Sequence, residues 1–267
     1  MLQYPDIDPV ALDLGFFQLR WYALAYLGGF LGGWWRARVL ADKYPKGIRP
    51  HTDDIENLVT WVVLGVIFGG RLGYVLFYNF EYYADHLSEV LAIWQGGMSF
   101  HGGLIGVILA IVGYCLVQKI SLLRTGDIVS AVVPIGLGLG RLSNFINGEL
   151  YGRTTDMPWG MVFPGGGDAP RHPSQLYQAF FEGLVLYLIL NIMMSKSNCR
   201  DKPGLVTGTF FTCYGLARFG VEFVRQPDPQ IGFILEFLSM GQILSLPMII
   251  FGAGLMIYAF RNAKSPS

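Results

Sequence analysis

The sequence predicts an all-α, polytopic membrane protein, and two observations carry that prediction. Of its 267 residues, 52% are hydrophobic and only 14% are charged, with a mean hydropathy of +0.43. A soluble domain of this size carries roughly a quarter charged residues. The second observation is a series of apolar stretches, each close to the ~20 residues that a helix needs to cross a bilayer. The net charge of zero gives no sign of a nucleic-acid partner.

Seven apolar stretches are predicted as transmembrane helices of a single domain covering residues 1–267. They are Phe17–Leu40, Leu58–Tyr78, Ser99–Val117, Thr125–Leu142, Leu176–Met194, Leu205–Val224 and Gly241–Phe260. Glycine is frequent in the third and fourth, as is common where membrane helices pack closely. No internal repeat relates the two halves of the sequence, which argues against an inverted-repeat transporter.

The basic residues predict the orientation of these spans, because cytoplasmic loops carry an excess of lysine and arginine. All six lysines fall on one side of the predicted topology, together with Arg36, Arg38, Arg49, Arg124, Arg200 and Arg261. This side is predicted to be cytoplasmic, so the N-terminus faces outward and the C-terminus inward. The first residues lack the basic start and cleavage site of a signal peptide, so we expect the first span to be retained. The longest outer loop covers about residues 144–173.

The remaining arginines lie inside predicted spans or on the outer side. Their positions run against the usual excess of basic residues in cytoplasmic loops. These arginines are Arg20, Arg71, Arg141, Arg153, Arg171, Arg218 and Arg225. An arginine at the bilayer centre costs about 3 kcal/mol on insertion scales, so it normally faces a partner or a wet cavity. Arg71 is equally compatible with snorkelling to the interface and with an anion site. Arg20, Arg153 and Arg171 are likewise open between interface anchoring and a site.

A polar motif, GRLSNFINGELYGR at 140–153, follows the fourth span. Arg141 comes directly after an apolar, glycine-rich helix and should lie at membrane depth, with Asn144, Glu149 and Gly152 beyond it. A guanidinium matches the oxygens of a phosphate, and glycine lets backbone approach a ligand. We favour an anion site over a salt-bridged outer loop. The run GLGLGR is not a dinucleotide motif, because no strand precedes it.

A second group lies near the outer end of the sixth span. Tyr214, Arg218, Glu222 and Arg225 are spaced i, i+4, i+8 and i+11, so they share one helical face. Glu222 can pair with Arg218 or with Arg225, and a purely structural ion pair is an even alternative for it. Positive charge exceeds negative charge on this face, which favours a functional role for Arg218.

A single histidine, His101, lies at the outer end of the third span. Histidine exchanges a proton near neutral pH, but a lone histidine is more often structural. The sequence shows neither the paired-ligand spacing of a metal site nor a nucleophile motif. Convergence of His101, Arg141 and Arg218 would form an anion cavity open to lipid, where the commonest anion is a phospholipid phosphate. The residues alone therefore predict a phospholipid-handling membrane protein and favour an enzyme.

Nearly the whole chain resembles the bacterial phosphatidylglycerol–prolipoprotein diacylglyceryl transferases. The resemblance rests on RWY at 20–22, GGRLGYVLFYNF at 69–80, GGMSFHGGLIG at 96–106, GRLSNFINGELYGR at 140–153, RHPSQLY at 171–177 and YGLARFGVEFVRQPD at 214–228. It implies seven spans with the N-terminus outside, in agreement with the distribution of basic residues. The loop between Arg153 and Arg171 is shorter than in some members of the family.

The resemblance implies an enzyme of the bacterial inner membrane whose site opens toward the periplasm. It would move the sn-1,2-diacylglyceryl group of phosphatidylglycerol to the lipobox cysteine of a prolipoprotein, the first step of lipoprotein maturation, without a metal or an organic cofactor. The implied catalytic residues are His101, Arg141, Arg218 and Tyr22. The implied substrate-binding residues are Arg141, Asn144, Glu149, Gly152, Tyr214, Glu222 and Arg225. His101 is the candidate base, with Tyr22 or the field of the arginines as alternatives; a transporter and a non-catalytic lipid binder are the rival classes.

Overall fold

The structure is a computed structural model, which describes residues 2–5, 7–226, 233–234 and 238–263. Helices make up most of these residues. They are α1 (Trp21–Ala41), α2 (Thr52–Tyr78), α3 (Phe80–Asp85), α4 (Phe100–Gln118), α5 (Leu122–Ile146), α6 (Ser174–Gln178), α7 (Leu186–Ser195), α8 (Ser197–Arg200), α9 (Leu205–Val221) and α10 (Met240–Arg261). A π-helical segment, Ala179–Val185, joins α6 to α7, so that Ser174–Ser195 is one continuous helix.

Short strands accompany the helices, a feature that the all-α prediction did not include. They are β1 (Leu2–Gln3), β2 (Val10–Asp13), β3 (Gln18–Arg20), β4 (Met161–Val162), β5 (Phe233–Ile234) and β6 (Leu238–Ser239). β1 pairs with β4 in parallel, whereas β2 with β3 and β5 with β6 pair antiparallel. β1, β2 and β3 lie in the segment before α1, and the other three lie between helices; in both places, backbone groups left outside helices must find partners.

Five helices of the described residues are long and apolar enough to cross a membrane, judged by length and composition alone. They are α2, α4, α5, α10 and the continuous helix Ser174–Ser195. The prediction of a mainly helical, polytopic membrane protein is therefore confirmed. The other two predicted spans also form helices, α1 and the 17-residue α9. Seven spans, and the orientation of the termini, stay predictions.

The described residues fall into two compact units, Arg38–Thr125 and the rest of the chain, Met1–Ala37 with Gly126–Ser267. Within Arg38–Thr125, α2 and α4 pack through glycines. A Cβ on Gly73 would lie 2.6 Å from the Cα of Gly102, and one on Gly69 would lie 2.7 Å from the Cα of Gly106. Small residues allow this backbone approach between apolar helices. The single transmembrane domain predicted above is neither confirmed nor contradicted by this division.

In the larger unit, contacts at both ends of α9 fix the position of its charged face. The buried Asp127 carboxylate of α5 accepts hydrogen bonds of 2.8 Å from the backbone N–H groups of Gly204 and Thr207, which satisfies free donors at the start of α9. At the other end, the carboxylate of Glu222 accepts a hydrogen bond of 2.6 Å from the hydroxyl of Ser239, which directly precedes α10. In between, a Cβ on Gly208 would lie 2.8 Å from the carbonyl oxygen of Gly252, so α9 packs closely on α10. Arg218 therefore lies on a helix that is fixed along its length.

The loop after α5 is ordered by backbone pairing rather than by regular structure. Gly152 N donates to the carbonyl of His172, and Arg153 N to that of Val224, both at 2.8 Å. The Tyr4 hydroxyl donates to the carbonyl of Phe145 at 2.6 Å, near the end of α5. α5 also extends beyond its predicted bounds, so Asn144 lies in its last turn rather than in the loop. The loop is thus attached to the ends of both α5 and α9.

Candidate functional site

The first part of the site is an ion pair between α5 and the π-helical segment. Arg141, near the end of α5, approaches the carboxylate of Glu182 at 3.5 Å. The side chain of Glu182 is 0% exposed, whereas that of Arg141 is 21% exposed. A buried charge is normally paired, because desolvation of an isolated ion is costly. Glu182 therefore lies behind Arg141 and leaves part of the guanidinium accessible.

The backbone around Glu182 is unusual, because π-helical turns are rare and often occur at functional sites. Gly183 allows this segment to approach α5: a Cβ on it would lie 2.6 Å from the Cα of Gly138. The close approach of the two helices brings Glu182 within reach of Arg141, which lies three residues beyond Gly138 on α5. Substitution of either glycine would therefore separate the ion pair.

The second part of the site is at the end of α9. Arg218 pairs with Glu222 at 2.7 Å, and Arg225 pairs with the same oxygen at 3.4 Å. The other oxygen of Glu222 accepts a hydrogen bond from the Ser239 hydroxyl at 2.6 Å. The prediction that Glu222 pairs with one of the two arginines understated the case, since it pairs with both. Glu222 is 1% exposed and Arg218 is 17% exposed.

Two further contacts join these parts into one cluster. Glu182 interacts electrostatically with Arg218 as well as with Arg141. Tyr214, one turn before Arg218 on α9, interacts through its hydroxyl with the Arg141 side chain. We call Arg141, Glu182, Tyr214, Arg218 and Glu222 the arginine cluster. The carboxylates of Glu182 and Glu222 are buried, whereas the guanidinium groups of Arg141 and Arg218 are partly accessible. Partly accessible guanidinium groups are suited to binding an anion.

The predicted residues Asn144 and Glu149 interact with each other. The Asn144 amide donates to the Glu149 carboxylate at 2.8 Å, and the Asn147 amide donates to the same oxygen at 3.3 Å. Gln175 of α6 donates to the Glu149 carbonyl at 2.6 Å. These bonds fix the turn that leaves α5, next to Arg141.

Gly152 is required by local packing, whatever its role toward substrate. A Cβ at this position would lie 2.5 Å from the Val224 carbonyl oxygen and 2.6 Å from the Cβ of His172. The neighbouring His172 donates its backbone N–H to Arg153, and its partial burial lowers the pKa of its imidazole. Gly152 therefore permits the pairing of the loop with the end of α9, where Arg225 lies opposite it.

Three of the arginines that the sequence left open serve the structure. Arg153 donates to the carbonyls of Arg225 and Glu222 at 3.0 and 3.2 Å. Arg171 donates to the carbonyl of Gly166 at 2.8 Å and covers the ring of Tyr151. Arg71 is 1% exposed and all of its N–H groups are hydrogen-bonded within its own unit, so it does not snorkel and has no donor left for a ligand. Arg20 is exposed on β3.

Two predicted catalytic residues have less defined surroundings. Tyr22 lies half-exposed in the first turn of α1, with its ring 5.1 Å from that of Tyr26. The adjacent Trp21 carbonyl accepts a 3.3 Å hydrogen bond from Ser143, which brings this turn to the end of α5. His101 is exposed at the start of α4, in the unit Arg38–Thr125. Its convergence with Arg141 and Arg218 therefore stays a prediction.

The sequence analysis missed Glu182 and the polar face that leads to it. Gln175, Gln178 and Glu182 are all 0% exposed and lie three or four residues apart along the continuous helix Ser174–Ser195. A carboxylate inside the predicted span Leu176–Met194 was a visible signal, because ionisable residues in spans are normally functional. The last residues of the 214–228 motif, Pro227 and Asp228, lie outside the described residues.

The fold and the arginine cluster together define a polytopic membrane protein with two partly accessible arginines paired to buried carboxylates. Residues 9–258 match the family model described as prolipoprotein diacylglyceryl transferase. Relatives named phosphatidylglycerol–prolipoprotein diacylglyceryl transferase are 51% identical in Rhodospirillum rubrum, covering 99% of this chain and 96% of the relative, and 49% identical in Geobacter sulfurreducens, covering 99% and 100%. A relative of the same name in Photobacterium profundum is 51% identical over 97% of this chain and 96% of its own length. The chain belongs to the prolipoprotein diacylglyceryl transferase family and is a transferase of lipoprotein biosynthesis.

Proposed function

We propose that this protein transfers the sn-1,2-diacylglyceryl group of phosphatidylglycerol to the lipobox cysteine thiol of prolipoproteins. A thioether forms and glycerol phosphate is released. The observation that carries the proposal is the arginine cluster: two partly accessible guanidinium groups on different helices, each beside a buried carboxylate. Full-length similarity to transferases of this name supports the same reaction.

The phosphate of phosphatidylglycerol would bind to Arg141 and Arg218. Each guanidinium presents several N–H donors in a plane, which matches the oxygens of a phosphodiester. Arg141 would hold the lipid before reaction, while Asn144, Glu149 and Gly152 shape the pocket for its headgroup. Tyr214 would orient Arg141, and Glu222 with Arg225 would hold the end of α9. This arrangement places positive charge where the leaving group develops negative charge.

The reaction requires a thiolate, because the thiolate rather than the thiol is the nucleophile. The cysteine Sγ would attack the glycerol carbon that carries the phosphate, forming the S–C bond. The C–O bond to phosphate breaks, and its electron pair leaves on the phosphate oxygen. Arg141 and Arg218 would stabilise this oxygen. The thiol proton would pass to His101 as general base, with Tyr22 or the arginine field as the alternative.

The proposed setting is the bacterial inner membrane, crossed seven times, with the N-terminus and the site on the periplasmic side. The excess of lysine and arginine on the opposite side supports this orientation. Lipid would reach the site from within the bilayer, and the prolipoprotein from the outer side. Both substrates meet at the ends of α5 and α9, where the loop 147–173 is attached.

One assay separates this function from its rivals. Purified protein in detergent is mixed with phosphatidylglycerol and a synthetic lipobox peptide, and the products are analysed by mass spectrometry. The proposal expects a peptide increased by the mass of one diacylglyceryl group, together with an equal amount of glycerol phosphate. A transporter or a lipid-binding scaffold would leave the peptide unmodified, and that result would overturn the proposed function.

A further inference from the structure

The two carboxylates of the arginine cluster are held in different ways. Glu222 has three partners, Arg218, Arg225 and Ser239, at 2.7, 3.4 and 2.6 Å. Glu182 has an ion pair with Arg141 at 3.5 Å, and neither of its oxygens accepts a hydrogen bond from the described residues. A carboxylate with so few hydrogen bonds does little to fix the positions of the side chains around it. Its contribution to the cluster is therefore mainly its negative charge.

That charge bears on the release of product. The phosphate of phosphatidylglycerol is a diester with one negative charge, whereas the departing glycerol phosphate is a monoester. A phosphate monoester has a second pKa near 6 and carries close to two negative charges at pH 8. Coulomb attraction grows with the product of the charges, so Arg141 and Arg218 attract the product more strongly than the substrate. Without a negative charge beside them, Arg141 and Arg218 would retain the glycerol phosphate.

We propose that Glu182 lowers the affinity of the arginine cluster for phosphate and so speeds the release of glycerol phosphate. The inference rests on the proposed function, because it concerns the product of that reaction. Glu182 faces both arginines of the site. It is held there by the approach of Gly183 to Gly138 rather than by hydrogen bonds of its own. Burial strengthens its effect, because charges away from water are screened less.

The test replaces Glu182 by glutamine, which removes the charge and keeps the shape. Calorimetry at pH 8 then measures the binding of two soluble anions, glycerol phosphate and the deacylated diester glycerophosphoglycerol. Loss of one negative charge should tighten binding by about tenfold per unit of ligand charge. We expect about tenfold for the diester and about a hundredfold for the monoester. In turnover, Glu182→Gln should lower both KM and kcat, because product release becomes slow.

The matched control is Asp201→Asn, which removes a negative charge at an exposed position of the same unit and should bind both anions as the wild type does. Equal shifts for the two anions, or weaker binding of both, would overturn the proposal and assign Glu182 a structural role. If Glu182→Gln fails to fold, the proposal is also overturned. The proposal assigns Glu182 an effect through its charge and not a role in holding the structure. Failure of the wild type to form thioether would contradict the proposed function instead, and the binding measurement does not depend on that result.

Discussion

Arg71 and Arg141 are both arginines within long apolar helices, and the protein uses their guanidinium groups in opposite ways. Arg71, in the unit Arg38–Thr125, donates to the carbonyls of residues 89, 90, 96 and 97 and to the Tyr83 hydroxyl, at 2.5 to 3.4 Å. Its five N–H donors are all used, and only 1% of the residue is exposed. It fixes the segment between α2 and α4.

Arg141, in the larger unit, is 21% exposed and has a 3.5 Å ion pair with Glu182. Its partner in the cluster, Arg218, has a buried Nη1 that makes no hydrogen bond with the described residues. The comparison teaches that an arginine at membrane depth does not by itself indicate a site. The number of donors left available for a ligand distinguishes the two uses.

The largest expected effect is on stability, in Arg71→Ala. The substitution leaves several partly buried carbonyls without their donor, and each lost hydrogen bond costs about 1 kcal/mol. We expect the free energy of unfolding to fall by about 3 kcal/mol or more, measured as loss of the thermal transition of purified protein in detergent. The fraction that folds should retain near-normal specific activity. Loss of activity in a fully stable variant would instead place Arg71 in the site.

The converse is expected for Arg141→Ala. Removing the phosphate ligand should lower kcat/KM about a thousandfold, since loss of one oxyanion contact costs about 10²–10³ in rate. The thermal transition should fall less than in Arg71→Ala, because Arg218 still lies near the buried carboxylate of Glu182 when the ion pair with Arg141 is lost. Transfer is measured with phosphatidylglycerol and a lipobox peptide.

Arg261→Ala is the matched control for this variant, because Arg261 is exposed at the end of α10. It removes the same charge from the chain and should leave transfer unchanged. Near-normal transfer by Arg141→Ala would contradict the hypothesis that Arg141 binds the phosphate. It would also remove the functional difference between Arg141 and Arg71.

Sequence reasoning located the helices well because a membrane span is a local property. About 20 apolar residues in succession predict a helix with no knowledge of what it packs against. The same locality allowed Glu222 to be paired with Arg218, since residues four apart on a helix are neighbours. The short strands were missed for two reasons. The partner of β1 is distant in sequence, as Leu2 pairs with Met161, and the strands of the two local hairpins have only two to four residues each, too few to show an alternating pattern.

The site was predictable only in part, for the same reason. Arg141 and Arg218 stood out by their cost in a membrane and were favoured as site residues, whereas Arg71, with the same cost, stayed open between snorkelling and the site. The difference lies in the direction of backbone carbonyls such as that of Gly96, which depends on tertiary structure. The approach of Glu182 to Arg141 likewise depends on a π-helical segment and on Gly138 with Gly183, which no spacing rule specifies.

The smallest expected effect tests whether the unit of Arg71 also contributes chemistry. His101, exposed at the start of α4, belongs to that unit. If it is the general base, His101→Gln should reduce transfer about a hundredfold at pH 7. The loss should shrink to about tenfold or less at pH 9, where a free thiol with a pKa near 8.5 ionises without help.

The matched control is His86→Gln, another exposed histidine of the same unit, which stacks on Tyr82 and should leave transfer unchanged at both pH values. A loss that is equal at pH 7 and pH 9 would give His101 a structural role and turn attention to Tyr22. The unit Arg38–Thr125 would then be purely structural, as Arg71 suggests. A loss that shrinks with rising pH would show that this unit supplies the base, because only a proton acceptor is replaced by thiol ionisation.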